Sequence, residues 1–445
     1  MPDWLRRLLP NSPLRVVGPV RRWLAQRKLR RRRQRFVEGL STRLEKAEAL
    51  RPITYDDDLF QLQLGGGQTI NLINFWTEHR TLDAEQQTRH IESIAQGLFQ
   101  AQFELPEDYE DVRIDLMPKV WARAAFDRLE LEATVKGTTP PPPSMTPLGS
   151  HLLLGVVYDL PNSMKTIRRE DLGTWEVTFY EAMEQAVENL RSRPMQVARI
   201  GAGGDEDDDT PVDGGLFLAM IGDSYDATRV LLVPDLVEAE QLPITGEPIA
   251  MMPCRDALLV TGSEDEDGLV AMAEIAARMI ENEPRPLAPT LLRYAEGEWS
   301  DYHVAASHPA ASPLHQLELR FLAEEYEVQK TLLQQVEAKR PQPLEVADLM
   351  IFRHRETDHW SSVAVWGRHV QALLPKSDYI ALVSEIGAEP VYVTWDDVMS
   401  LTGELLEPVD MSPPRWKVTE FPHPKAIEIL AEDAVSPMAS EPEEA

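Results

Sequence analysis

Short apolar runs set between glycines, prolines and charged residues constrain this chain more than any other feature of its sequence. Residues 214–233 read GGLFLAMIGDSYDATRVLLV, and the apolar run 216–221 lies between glycines, which favours a buried strand over a helix. Residues 249–252 and 257–261 predict two further strands joined by a turn. Apolar residues recur at helical spacing along 269–280. We therefore expect an α+β protein with mixed sheets and packed helices.

The turn after the first of these strands carries two aspartates. Asp223 stands where a helix N-cap would, and Asp226 lies three residues later, where a carboxylate can accept from a free backbone N–H group. Pro234 is expected to end such a helix. A turn followed by a strand at 230–233 is the alternative, because that segment is apolar enough for a strand.

Four short motifs in and before this region resemble those of a known bacterial family. They are YDATR at 225–229, DLPNSM at 159–164, the helix end NLR at 189–191, and Pro253 with Asp256. In order and spacing they are similar to the YtpQ-like family, domain of unknown function 1444, over about residues 52–302. The resemblance implies no activity, substrate or catalytic residue. The basic N-terminus and the residues after Tyr302 depart from the family pattern.

These motifs define one candidate site, made of Asn189, Tyr225, Asp226, Arg229 and Asp256. If the five side chains gather in a deep pocket, the protein is an enzyme of unassigned type. If they serve as caps and core hydrogen bonds, it is a non-enzymatic binding or adaptor protein with an unknown protein partner. We expect the second, and we expect no cofactor.

The charge of the chain is divided very unevenly. Residues 1–48 contain 14 Lys/Arg and four acidic residues, a net charge of +10, whereas the remainder contains 30 basic and 70 acidic residues, a net charge of −40. A body this acidic repels nucleic acid and anionic membranes. Any contact with such a surface must therefore come from the N-terminal segment.

The N-terminal segment interleaves tryptophan and leucine with arginine. Trp4 and Trp23 suit a membrane interface, and Arg30, Arg31, Arg32 and Arg33 suit anionic head groups. The same arginines could bind nucleic-acid phosphates, or the segment could fold back on the acidic body. A helix starting at Pro19 is expected here.

Composition shifts divide the rest of the chain. We expect a basic segment at 1–48, folded α+β domains at 52–135, 149–303 and 312–432, and a disordered acidic tail at 433–445. Segment 136–150, with four consecutive prolines, predicts an extended linker. Within the last domain, 349–352 and 363–366 predict a hairpin, with further strands at 379–383 and 391–394.

The cysteine content, the apolar runs and two polar segments bear on the cellular compartment and on metal binding. The single cysteine, Cys254, the lack of 18 consecutive apolar residues and the absence of a signal-like start predict a cytoplasmic protein. The basic segment could place it at the inner membrane face. Acidic residues 205–209 lack the spaced ligands and central glycine of a calcium loop. In segment 354–359 Arg355 repels a cation and a turn would point the side chains outward, away from a common metal, so no metal is expected.

Overall fold

The computed structural model describes residues 19–46, 53–56, 61–64, 69–100, 104–138, 144–160, 163–200, 215–219, 225–282, 286–353, 360–385, 389–432 and 434. These residues form helices with antiparallel and mixed sheets, which confirms the predicted α+β fold. They fall into two compact units: the residues up to Asp115 with Val157–Thr166, and Leu116–Val156 with the residues from Ile167 onward. This division differs from the three predicted domains, because one strand contributes to both units.

The first unit combines helices with a small sheet. Helix α1 spans Pro19–Leu44, and α2, α3 and α4 span Ile73–His79, Ala84–Gln100 and Tyr109–Val112, followed by a 3₁₀ turn at Arg113–Asp115. Strands β1 (Thr54–Asp56), β2 (Gln61–Gln63) and β3 (Thr69–Asn71) form an antiparallel sheet in that order. The predicted start of α1 at Pro19 is confirmed, because proline suits the first turn of a helix.

The second half of α1 lies in the core of this unit. Phe36, Val37, Leu40 and Leu44 recur on one helical face and are at most 4% exposed. They pack against the sheet and the next two helices through Leu62, Leu64, Ile70, Leu72, Trp76, Ile91, Ile94 and Ala95. The predicted basic segment 1–48 is therefore not separate from the folded part that follows. A chain beginning near residue 52 would lack four core side chains of this unit.

The second unit begins with a sheet in the order β4-β6-β5, whose strands are Leu116–Ala122, Leu152–Leu160 and Met145–Leu148. Strand β7 (Ser163–Thr166) pairs with the end of β6, in the residues that belong to the first unit. Helix α5 (Arg123–Lys136) follows β4 and ends at Gly137, whose φ of 71° favours glycine. Strand β5 lies inside the predicted linker 136–150. That expectation is wrong there, because residues 145–148 pair with β6 along their length.

A six-stranded antiparallel sheet follows. In chain order its strands are β8 (Val197–Ile200), β9 (Leu216–Ala219), β10 (Pro248–Cys254), β11 (Ala257–Gly262), β12 (Leu291–Ala295) and β13 (Glu298–Tyr302). Their spatial order is β13-β12-β10-β11-β9-β8. The accompanying helices are α6 (Arg169–Thr174), α7 (Phe179–Arg191), α8 (Val233–Glu238), α9 (Glu266–Asn282) and α10 (Ala311–Glu337). The strands predicted at 249–252 and 257–261 are confirmed as β10 and β11.

Both faces of this sheet are buried, since alternate residues of a strand point to opposite sides. Leu216 and Met251 pack on one side with α9 and the start of α10. Phe217 and Met252 pack on the other side with residues of β4, β6 and the 225–233 segment. The five candidate site residues all lie within the second unit.

The remainder of the second unit contains two four-stranded sheets. One has the order β14-β17-β21-β20, with strands Glu345–Val346, Ala372–Pro375, Arg415–Val418 and Glu407–Val409. The other has the order β15-β16-β18-β19, with strands Met350–Arg353, Trp360–Gly367, Tyr379–Val383 and Val391–Thr394. β15 and β16 form the predicted hairpin. Helices α11 (Trp395–Thr402) and α12 (Pro424–Glu432) complete the described chain.

Candidate functional site

The YDATR motif opens a helical segment that differs from both sequence alternatives. Residues Ala227–Leu232 form a 3₁₀ helix, and α8 begins directly afterwards with Pro234 in its first turn. Proline therefore starts a helix here rather than ending one, because its missing N–H group is not needed in a first turn. The strand alternative at 230–233 is wrong. Asp223 and Ser224, the predicted start of the helix, lie outside the described residues.

Asp226 and Arg229 form a fully buried ion pair. Arg229 Nη1 donates to Asp226 Oδ1 at 2.9 Å, and both side chains are 0% exposed. Arg229 Nη2 also donates to the Pro194 carbonyl oxygen at 3.1 Å. The Asp226 side chain makes no capping hydrogen bond, which corrects the predicted helix-start role. Its carboxylate instead compensates a buried cation.

Two cations lie close to the ring of Tyr225. Lys119 Nζ is 5.0 Å and Arg193 Cζ is 5.1 Å from the ring centroid, distances at which a cation is attracted to an aromatic face. Tyr225 is 2% and Lys119 is 1% exposed. Lys119 was not predicted as a member of this site. Its signal in the sequence is that it interrupts the otherwise apolar strand LMPKVWA.

Asn189 and Asp256 have other tasks. Asn189, in the last turn of α7, donates from Nδ2 to the Leu116 carbonyl oxygen at 2.8 Å and accepts from Gln185 Nε2 at 3.0 Å. The Asp256 carboxylate pairs with its neighbour Arg255 at 3.2 Å, and its side chain is 38% exposed. Asp256 is therefore partly exposed, unlike the fully buried side chains of Asp226 and Arg229.

Backbone contacts link this motif to the sheets. The Ala227 N–H group donates to the Arg255 carbonyl oxygen at 3.2 Å, in the turn between β10 and β11. Thr228 Oγ1 accepts from the Val120 N–H group of β4 at 3.2 Å. The structure thus brings Tyr225, Asp226 and Arg229 together as a network that joins neighbouring elements.

The second candidate surface is the basic part of α1. Trp23, Arg30 and Arg31 lie within the helix, whereas Trp4 is outside the described residues. Arg32 is exposed and Arg33 is half-buried. The arginines thus precede the buried face of α1 on the same continuous helix.

Metal and membrane sites were also sought in the described part of the chain. There, no group of three or more His, Cys, Asp or Glu side chains has the arrangement of a metal site. The acidic residues 205–209 and the segment 354–359 lie outside the described ranges. Among the described helices, none is both long enough and apolar enough to span a bilayer.

Comparison with known proteins adds no relative. No protein-family model, curated protein or solved structure matches this chain. The resemblance to the YtpQ-like family therefore stays a prediction.

Proposed function

We propose that this chain is a non-enzymatic binding protein that docks on an anionic membrane surface through the basic residues of α1. One observation carries the proposal: the helix that contains residues 30–33 continues without a break into the core of the first unit. Phe36 and Leu40, only a few residues later, are 1% and 0% exposed. The basic residues are thus joined to a folded body by a helix.

The charge distribution supports this orientation. The chain after residue 48 has a net charge of −40, so an anionic bilayer would repel it, whereas residues 1–48 carry +10. Each Lys or Arg near an anionic leaflet contributes about 1 kcal/mol to binding. The four arginines at 30–33 could therefore contribute about 4 kcal/mol at low salt. Binding should weaken as salt screens this attraction.

The tryptophans favour a membrane over nucleic acid. Trp23 lies about two helical turns before Arg30, and tryptophan rings are enriched where apolar chains meet head groups. In a cytoplasmic protein this surface would be the inner membrane face. Tryptophan beside arginine also suits unpaired bases, so RNA is the informative competitor.

The enzyme alternative has less support from the geometry. Asn189, Asp226 and Arg229 each bond to another part of the protein, and Asp256 pairs with Arg255. In the proposed function α1 holds the protein at the membrane. The acidic body is then the part that binds a protein partner there.

Vesicle co-sedimentation tests the proposal with the full-length protein. It should pellet with vesicles containing anionic lipid and not with neutral ones, and less at about 500 mM than at about 50 mM salt. Trp4→Ala with Trp23→Ala should weaken binding further, because the interfacial rings are lost. Equal pelleting with neutral vesicles, or full displacement by RNA, would contradict membrane docking.

A further inference from the structure

His79 lies in the core of the first unit, against the buried half of α1. Its ring centroid is 4.7 Å from that of Phe36 on α1 and 6.1 Å from that of Trp76, three residues earlier on α2. The ring of His90 on α3 lies 5.9 Å away. His79 is 7% exposed. Its neighbours are thus two apolar rings and a second imidazole, from the three helices that pack together here.

The surroundings of the His79 ring favour its neutral form. Its Nδ1 atom is buried, and among the described residues it has no hydrogen-bond partner. A neutral imidazole carries a proton on only one nitrogen, whereas a protonated ring donates from both. After protonation, Nδ1 would therefore be a buried charged donor without an acceptor, which is costly.

The charged groups near His79 do not compensate a proton on its ring. Within about two helical turns of the ring contacts, α1 carries Arg33 and Arg43, α2 carries Glu78, and α3 carries His90 and Glu92. Both carboxylates have other partners: Glu78 lies 3.5 Å from His90 Nδ1, and Glu92 lies 3.7 Å from Arg43. Burial, and then the charge of His90, lower the pKa of His79 to about 4.

The part of α1 that packs here is apolar on one face. Its buried residues are Phe36, Val37, Leu40 and Leu44. Gly39 allows a close approach to α3, since a Cβ atom at this position would lie 3.2 Å from Ile91 Cδ1. Away from the core, these apolar residues and the arginines at 30–33 would form one amphipathic helix, the type that lies in a membrane interface.

We propose that protonation of His79 releases the buried half of α1 from the first unit, and that the freed apolar face then enters the membrane. This regulation rests on the proposed docking of α1 and adds a second, acid-dependent mode of binding. The first mode is electrostatic, so salt screens it. The second mode buries apolar side chains in the bilayer, so it persists at high salt.

Acid favours the released state because the freed His79 ring is the stronger base. The pKa of the freed ring is the ordinary 6.5, whereas that of the packed ring is about 4. At about pH 5 the freed ring therefore binds a proton that the packed ring does not. Between about pH 7 and about pH 5, the equilibrium should shift toward release by about twentyfold.

Hydrogen exchange of the full-length protein at about pH 7 and about pH 5 tests the release, after correction for the pH dependence of intrinsic exchange. Protection of amides 36–44 should fall about twentyfold in the parent. In His79→Leu it should fall less than about threefold, because leucine does not titrate. His79→Gln provides the same comparison with a polar side chain, and melting curves identify the variants that are folded.

His369→Leu is the matched control, since His369 is exposed and lies in the second unit. Its amides 36–44 should lose protection as in the parent. Equal loss in the parent and in both His79 variants would overturn the proposal. Equal loss in strands β2 and β3 would also overturn it, because the first unit would then open as a whole.

Co-sedimentation with anionic vesicles separates this regulation from docking itself. Binding at about pH 7.5 and about 50 mM salt tests docking alone. At about 500 mM salt, the parent should pellet at least about fivefold more at about pH 5 than at about pH 7.5, and His79→Leu should not. Docking at pH 7.5 without this salt-resistant fraction would overturn the release and leave docking intact. No binding in the first condition would contradict both.

Discussion

Arg229 donates to Asp226 over 2.9 Å at a position where neither side chain has any exposed surface. The same guanidinium donates to the Pro194 carbonyl oxygen, so the pair ties the YDATR segment to the loop after α7. If either partner is removed, the other remains charged and buried. Breaking this pair should therefore cost far more than breaking a surface ion pair.

Asp226→Ala should lower the free energy of unfolding by about 3–5 kcal/mol, because Arg229 would lose a buried ionic partner without gaining water. Urea denaturation followed by circular dichroism measures the change. Glu85→Ala is the control, since Arg89 and Glu85 form an exposed pair worth under about 0.5 kcal/mol. Similar losses in the two variants would contradict a structural role for the buried pair.

Leu40→Ala should destabilise the first unit by about 2–5 kcal/mol, the range for emptying a buried leucine site. Leu40 is 0% exposed and packs with the sheet and α3. Hydrogen exchange of the α3 amides should accelerate in this variant. Thr42→Ala, an exposed change on the same helix, should leave exchange near the parent rate. If the α3 amides also exchange at the parent rate in Leu40→Ala, α1 is not part of this core.

His79 should make the first unit sensitive to acid. The ring is 7% exposed and lies 4.7 Å from the Phe36 ring. Burial, and then the charge of His90, lower the pKa of His79 from 6.5 to about 4. As pH falls, His79 therefore binds a proton in the unfolded chain before it does so in the folded protein. The stability present above about pH 6.5 is lost as pH falls toward about 4, by up to about 1.4 kcal/mol per pH unit.

His79→Gln should flatten this dependence, because the amide does not titrate. Unfolding followed at about pH 7 and about pH 5 compares the variant with the parent. An identical pH slope in both proteins would show that another group is responsible.

His315 should act in the opposite direction in the second unit. Its Nε2 lies 3.2 Å from Asp378 Oδ2, which also accepts from the Ser362 hydroxyl at 2.8 Å. Burial alone would lower the pKa of His315, but the hydrogen bond and charge of Asp378, with the charge of Glu318, outweigh it and raise the pKa. This stabilisation is present below about pH 6.5 and is lost as pH rises through the raised pKa.

His315→Gln should therefore destabilise the protein more at about pH 6 than at about pH 9. His369→Gln, at an exposed position, should show no such difference. A larger effect of His315→Gln at alkaline pH would contradict the assigned ion pair.

The strands were the most predictable part of the fold. Segments 249–252, 257–261, 379–383 and 391–394 are short apolar runs with turn residues at their ends, and each forms a strand. Local sequence decides such cases, because length and flanking residues leave few alternatives. The helix predicted at 269–280 is confirmed as α9 for a similar reason, its repeated apolar face.

Roles that depend on distant partners could not be predicted. An aspartate three residues before an arginine fits a helix cap and a buried ion pair equally well. The role of Asp226 is decided by its complete burial and by its ion pair with Arg229. The boundary predicted at residue 48 rested on composition alone. Phe36, Val37, Leu40 and Leu44 show helical spacing in the sequence, but the adjacent arginines suggested a separate basic segment.

The central claim is that residues 30–33 of α1 dock the protein on anionic membranes. Truncation near residue 52 cannot test it, because core residues of the first unit would be lost as well. Substitution of all four arginines by glutamine keeps helix propensity and removes four charges. The matched control replaces four exposed cations of the acidic body by glutamine, namely Arg80, Arg89, Arg169 and Lys425.

The most direct measurement is the affinity of these two variants and the parent for vesicles containing anionic lipid, at one low salt concentration. We predict a loss of about tenfold or more for the substituted α1, against a loss of less than about twofold for the control of equal charge change. Equal losses in the two variants would show that only net charge matters. No loss in either would show that α1 is not the docking element.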